Sequence, residues 1–363
     1  MIGIMTLFRA VNYGTVLQVY ALQQFLNELG IENEVIDYRC EHIENLYGAK
    51  PIVSIRHLKT FLKQLKEMPL KAKSRKLFDQ FLDENLNKSR SLNREMLNGF
   101  SKRYSAIITG SDQVWNLSLS GGDLSYALDF VTDDNIKKLS YSASLGPAIL
   151  NQEDVTKLKP CLNKFDYISV REETGINQII EMTGKKPVLD ADPTALLDIC
   201  TWNNLANASS LEYNNYIFVY IMQPSEILYD VAEKLSKEYN CNIYSICMVN
   251  NDRKLGTSVK GSSIVDFIWL IKNAKYVVTN SFHGLMMSIR FHKDFYWALQ
   301  KGKNMSNPRF DMLDKLYGIN DRRCDSSDLY KMCKPLNWKN IEKVLENQRC
   351  IAESHIHEML DLK

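Results

Sequence analysis

The chain has 363 residues, 45% of them hydrophobic and 24% charged, with 45 Lys and Arg against 43 Asp and Glu, a net charge of +2. That balance carries no signature of nucleic-acid binding, and 16 Gly with 9 Pro exclude a collagen-like or low-complexity chain. The length allows two to three domains with substantial cores.

Residues 2–7 read as a first strand, followed by a loop over 9–14. A helix comes next, with Leu17, Tyr20, Phe25 and Leu29 on one broad face and Gly30 at its end. Residues 34–38 read as the second strand, so the grammar is that of a parallel sheet. Residues 41–104 break it: Phe61 and Leu65, then Phe78 and Leu82, repeat at helical spacing and mark a helical insertion. Within it, 56–76 hold eight Lys and Arg against one Glu. Strands resume at 105–109, 138–142, 167–170 and 187–190, and a polar, Asn-rich stretch at 195–214 marks a domain boundary. A second set follows, with strands at 216–222, 242–247, 276–279 and 295–299 and helices near 225–239, 263–273 and from 281. The tail over 336–361 reads as helix. The expected fold class is α/β, with two facing, doubly wound Rossmann-like domains and a helical insertion in the first. The expected domains are 1–200 with the insertion at 41–104, then 201–335, then a C-terminal helix at 336–363.

No apolar run approaches the roughly 20 residues of a membrane span. The start MIGIMTLF lacks the basic region of a secretory signal, and eight cysteines show no CxxC spacing. The expected place of action is the cytoplasm, with reduced thiols.

Five strands run into polar segments that open helices: 9–15, 110–116, 171–174, 190–194 and 280–284. Carboxyl ends of parallel strands are where ligands bind in such sheets, so these segments are expected to converge on one crevice. Ser281, Phe282, His283 and Gly284 open a helix whose amino end favours an anion, with His283 as donor or base beside it; Ser281 also suits a plain helix cap. Arg171 is either a clamp for a carboxylate or phosphate, or an ion-pair partner of Glu172, Glu173 or Asp192. Asp112 is either a general base or a cap for the amides of Trp115 and Asn116. Asp190 and Asp192 have no third acidic ligand at fixed spacing, so no metal is expected. His355 and His357 are two apart and share no helix face. GxGxxG, GxxxxGK[ST], GxSxG and HExxH are all absent.

Taken in order, the segments at 12–23, 78–86, 110–116 (GSDQVWN), 126–131, 138–146 (KLSYSASLG), 169–172 (SVRE), 192–194 (DPT) and 281–284 (SFHG) resemble the polysaccharide pyruvyltransferase family over residues 2 to about 325. The resemblance implies a GT-B arrangement. It also implies transfer of pyruvate from phosphoenolpyruvate onto two hydroxyls of a polysaccharide, glycolipid or lipid-linked sugar as a cyclic ketal, with phosphate released. His283 and Arg171 are then expected in catalysis, with Asp112 taking the hydroxyl proton. Ser281, Phe282, Gly284 and Arg309 fall on the donor side. Asn12, Tyr13, Gly14, Gln18, Ser111, Gln113 and Trp115 fall on the acceptor side in the first domain. Phosphoenolpyruvate is the donor substrate, and no cofactor or nucleic acid is implied. The basic stretch at 54–76 is expected either to touch the inner face of a membrane that carries lipid-linked sugars, or to form a solvated helix face. A nucleotide-sugar glycosyltransferase of the same architecture and a catalytically idle glycan-binding homologue are the alternatives.

Overall fold

The computed structural model describes residues 1–47, 58–146, 149–248, 253–301, 307–325 and 334–362, the side chains of 58–67 excepted. The chain sorts into two compact units, Met1–Pro193 with Cys350–Lys363, and Thr194–Arg349. The end of the C-terminal helix counts with the first unit.

In the first unit, β1 (Ile2–Met5) is followed by α1 (Tyr13–Glu28), β2 (Asn33–Val35), α2 (Glu41–Tyr47), α3 (Leu58–Asn85) and α4 (Leu97–Ser101). Then come β3 (Ala106–Thr109), α5 (Leu117–Ser120), β4 (Lys137–Ser140), α6 (Gln152–Leu162), β5 (Ser169–Val170), α7 (Glu173–Thr183) and β6 (Val188–Leu189). Parallel strands pair in the order β2-β1-β3-β4, and β5 pairs in parallel with β6. Bridges Leu139–Tyr167 and Ala143–Val170 carry β4 on to β5. Ile4, Ile107, Ile108 and Leu139 are fully buried, as strands covered on both faces require.

The end of α3 lies on α1, with the ring of Phe78 5.0 Å from Tyr13 and that of Phe81 5.8 Å from Tyr20. Charges fasten the same junction. Arg9 grips Asp37 through Nε at 2.8 Å and reaches Asp79 of α3 at 2.9 Å. Burial pushes the Asp37 carboxyl up, but the hydrogen bond and charge of Arg9 outweigh it and hold the group below its ordinary range. Of the basic stretch at 54–76, residues 54–57 and the side chains of 58–67 lie outside the described residues. Arg75 is spent inside the fold, on Glu44 at 3.0 Å and Asp79 at 3.0 Å. Among the described residues no helix is long and apolar enough to cross a membrane.

The second unit contains α8 (Ile199–Asn207), β7 (Tyr216–Ile221), α9 (Glu226–Tyr239), β8 (Asn242–Cys247), β9 (Thr257–Ser258) and α10 (Ile264–Asn273). It continues with β10 (Tyr276–Thr279), α11 (Phe282–Arg290), β11 (Asp294–Trp297) and α12 (Pro308–Tyr317). Its sheet is parallel in the order β11-β10-β7-β8-β9. The polar stretch at 195–214 is not a bare linker, because α8 occupies its centre. Asp198 caps it by accepting from the Cys200 amide at 2.6 Å, and Trp202 and Ala206, one turn apart, are completely buried.

The last helix, α13 (Trp338–Met359), ends on the first unit. There His355 Nδ1 lies 2.7 Å from Asp190 Oδ1, Asp190 accepts from Ser169 Oγ, and Tyr167 donates to Glu358 at 3.3 Å. The Asp190 hydrogen bond raises the His355 pKa above the ordinary 6.5, against a smaller opposing effect of burial. A raised histidine stabilises the fold fully below its unfolded value and stops doing so as pH rises through the folded one. The melting temperature of His355→Ala is therefore expected to lie furthest below wild type in mildly acidic buffer. The gap should narrow above pH 6.5. A gap that widens with pH contradicts the pair.

Candidate active site

In the first unit the segment after β3 turns sharply: Asp112 sits at φ 69, a left-handed conformation costly for a residue with a side chain, and such outliers gather at functional sites. The turn is locked from behind. Ser144 N donates to Asp112 O at 2.9 Å, and Thr6 Oγ1 donates to Ser111 O at 2.9 Å. Gly146, at φ +83, has no room for a Cβ, which would stand 2.4 Å from Asn116 Nδ2 and 2.6 Å from Gln113 Oε1. The YSASLG segment and the SDQVWN segment are therefore interlocked by local sterics.

Arg171 is wholly buried among carboxylates. Its Nη1 donates to Asp192 at 2.7 Å and Nη2 to Asp112 Oδ1 at 3.3 Å, while Glu172 lies 3.8 Å from Nε. Burial alone would depress the guanidinium; the charges of Asp192, Asp112 and Glu172 outweigh it and raise it further. Of the two readings of Arg171, the geometry gives the ion pair, with Asp112 as a partner that proximity in sequence does not suggest. Asp112 does not cap the helix: Trp115 N donates to Ser144 O and Asn116 N to Gln113 O. Its side chain stays 9% exposed, and Oδ2 accepts no hydrogen bond among the described residues.

The other first-unit residues divide by burial. Asn12 caps α1, accepting from Gly14 N at 2.9 Å, and is half-buried, as is Gln113. Tyr13 is buried against Phe78, and Gln18 is sealed inside, donating to Thr6 Oγ1 and Thr15 O. Ser111 is fully buried and donates to Ser142 O. Trp115 is fully buried, edge-to-face with Phe165 at 5.7 Å. These four side chains are buried behind the segments that carry Asn12 and Gln113. Tyr47, at the end of α2, was not anticipated. Burial and, secondarily, the Asp112 charge push its hydroxyl up, which sets the phenol in the field of that carboxylate. Nothing in the spacing around Tyr47 marks it.

In the second unit, Ser281 caps α11, accepting from Gly284 N at 3.2 Å, so the cap reading of Ser281 holds. No acidic residue stands in the first turn, and Arg290 in the last turn suits the helix dipole. His283 is buried to 6% exposure in that first turn, its ring edge-on to Phe282 at 5.2 Å. The Arg309 guanidinium lies over Phe282 at 5.4 Å. Gly284 is dictated by the sheet: a Cβ would meet Thr279 Oγ1 at 2.7 Å and Tyr220 Cδ1 at 2.9 Å. Asn280, just ahead of the SFHG segment, staples the strand ends together. Its side chain accepts from Met222 N and donates to Gln223 O, both at 2.8 Å, and its carbonyl accepts from Gln300 at 2.9 Å. Among the described residues no group of three His, Cys, Asp or Glu side chains is arranged to hold a metal ion.

Comparison with known proteins places this geometry. A search of curated protein sequences gives no match. Among solved structures, UDP-GlcNAc 2-epimerase from Methanocaldococcus jannaschii aligns with a TM-score of 0.53 at 12% identity, over 96% of this chain and 92% of that one. A putative UDP-N-acetylglucosamine 2-epimerase from Listeria monocytogenes aligns at 0.54 and 9% identity, over 98% and 90%. At such identities the likeness shows the fold alone, the GT-B-like class of two Rossmann-like α/β units. The family model for polysaccharide pyruvyl transferase matches residues 12–298, from the cap of α1 through α11 to just past β11. The chain belongs to the polysaccharide pyruvyl transferase family and is thus a transferase with a sugar acceptor.

Proposed function

We propose that the chain moves the pyruvyl group of phosphoenolpyruvate onto two hydroxyls of a sugar, as a cyclic ketal, and releases inorganic phosphate. The sugar is part of a polysaccharide, glycolipid or lipid-linked precursor, met on the cytoplasmic side of the membrane. The family match over 12–298 carries this reading, and the two groups of residues described above support it.

The chemistry assigns each group a task. A proton adds to the methylene carbon of phosphoenolpyruvate, which leaves C2 electrophilic. One sugar hydroxyl bonds to C2, and the proton it loses balances the one taken up. The second hydroxyl then displaces phosphate, and its proton leaves with that group. Asp112, whose Oδ2 accepts no hydrogen bond among the described residues, accepts the hydroxyl proton. Arg171 has no exposed surface, so it serves as a positioning residue through Asp112. On the donor side, the amino end of α11 and Arg309 suit the phosphate and carboxylate, and His283 supplies the proton. Ser281, Phe282 and Gly284 hold that turn in shape. Asn12 and Gln113, both half-buried, are the first acceptor-side contacts, with Tyr13, Gly14, Gln18, Ser111 and Trp115 buried behind them on the same side.

Calorimetry separates this reading from nucleotide-sugar transfer. Phosphoenolpyruvate is expected to bind wild type saturably, and His283→Ala to weaken it by about 10- to 100-fold, the loss of one charge-assisted hydrogen bond. Binding of UDP-GlcNAc in place of phosphoenolpyruvate contradicts the proposal.

A further inference from the structure

The first unit holds a cavity of about 650 Å³, within the size range of small-ligand sites. Its walls are the residues that follow β2, the start of α2, the segment before α4 and the turn after α5. None of the residues assigned above lines it.

Its chemistry is selective. Three acids in the wall, Glu41, Glu95 and Asp123, face two arginines that are already engaged: Arg39 with Glu44 at 3.5 Å, and Arg94 with Asp129 at 2.7 Å. Among the described residues of the wall, both arginines already have an acidic partner, so a phosphorylated or carboxylated ligand would have to compete for them. The one aromatic ring of the wall apart from His42, Tyr38, is buried at the floor and donates to Asp123, so no exposed phenyl face is offered to a nucleobase. What remains is a rim of exposed hydrogen-bonding groups, the His42 ring and the uncharged amides of Asn45 and Asn93. Such a rim matches a ligand whose groups both donate and accept and which carries no charge. The floor is rigid: Asp123 Oδ1 also accepts from Ser125 N at 2.8 Å and Ser125 Oγ at 2.7 Å. At Gly121 a Cβ would stand 2.6 Å from His42 Cγ, so the glycine makes room for that ring.

The cavity also has a direction. Glu41, His42 and Asn45 belong to α2, which packs beside α5: Cys40 Sγ, just ahead of α2, donates to Ser120 O at 3.6 Å, and α5 opens at Leu117, directly after the 110–116 segment that carries Asp112; α2 itself ends at Tyr47, whose hydroxyl is pushed up by burial and by the Asp112 charge.

We propose that this recess is a neutral-saccharide subsite, which holds sugar residues of the acceptor chain at one end of α2 while the residue being modified lies at the other, by Asp112. The proposal rests on the assignment of Asp112 to the acceptor. It extends that assignment to a polymer: the enzyme recognises several sugars rather than one.

The test is saturation-transfer NMR with neutral gluco-, galacto- and manno-tetraoses and the matching monosaccharides, without phosphoenolpyruvate. At least one tetraose is expected to bind wild type more tightly than its monosaccharide. Asn45→Trp, which fills the recess from an exposed position, should weaken that tetraose by about tenfold or more, and His42→Ala less. Both variants should bind phosphoenolpyruvate as wild type does. Failure of every tetraose to bind, or undiminished binding to Asn45→Trp and His42→Ala, overturns the subsite. Failure of wild type to bind phosphoenolpyruvate strikes the donor assignment instead and leaves the saccharide result standing.

Discussion

Arg171→Met is expected to lower stability by about 3–5 kcal/mol, the cost of stranding buried charge after one partner is removed. Three carboxylates converge on this one guanidinium: Asp192 at 2.7 Å, Asp112 at 3.3 Å and Glu172 at 3.8 Å. Methionine replaces the volume and none of the charge. For a unit of this size the loss corresponds to a fall in melting temperature on the order of 10 °C. The change should appear in the transition of the first unit, which calorimetry resolves if the two units melt apart. Arg171→Lys keeps the charge but not the planar fork that serves Asp192 and Asp112 together, so it should fall between. A melting temperature within a degree or two of wild type for Arg171→Met would show that the cluster adds little to the fold.

Asp112→Asn is expected to reduce turnover by about 10²–10⁴, the usual contribution of a positioned general base, with phosphoenolpyruvate affinity nearly unchanged. Asparagine suits this test because it has the same shape, tolerates the left-handed backbone at φ 69 and can still accept from Arg171 through its carbonyl. What it cannot do is take the hydroxyl proton. The separation of turnover from donor affinity matters, since a merely structural Asp112 would lower both through misfolding. Turnover within about threefold of wild type would remove Asp112 from the reaction.

The strands and helices were legible because their signals are local. Residues 216–222 announce β7 as an unbroken apolar run, and Gly30 ends α1 through its positive φ of 72. α8 hid because its surface is polar and only Trp202 and Ala206, one turn apart, face inward. The site segments were legible too, as polar stretches at strand ends. Side-chain direction within them was not. Trp115 and Gln113 are two residues apart in one loop, yet the first packs on Phe165 and the second reaches the half-buried surface. Only the fold decides which. The same holds for partners distant in the chain: Arg171 meets Asp112 59 positions away, and His355 meets Asp190 across 165. No spacing rule reaches that far. Asn280 lies between legible elements, and its role as a staple depends on Met222 and Gln223 arriving beside it.

The most direct test of ketal transfer follows the carbon. The enzyme is incubated with ¹³C-labelled phosphoenolpyruvate and the polysaccharide of the cells that make it, stripped of ketals by mild acid, and the glycan is then read by NMR. The account expects the label in the glycan as a quaternary ketal carbon bearing a methyl group, joined through two sugar oxygens, with one phosphate released per label incorporated. Label joined through a single oxygen with its methylene intact, or phosphate found on the glycan while the label stays in solution, would contradict it.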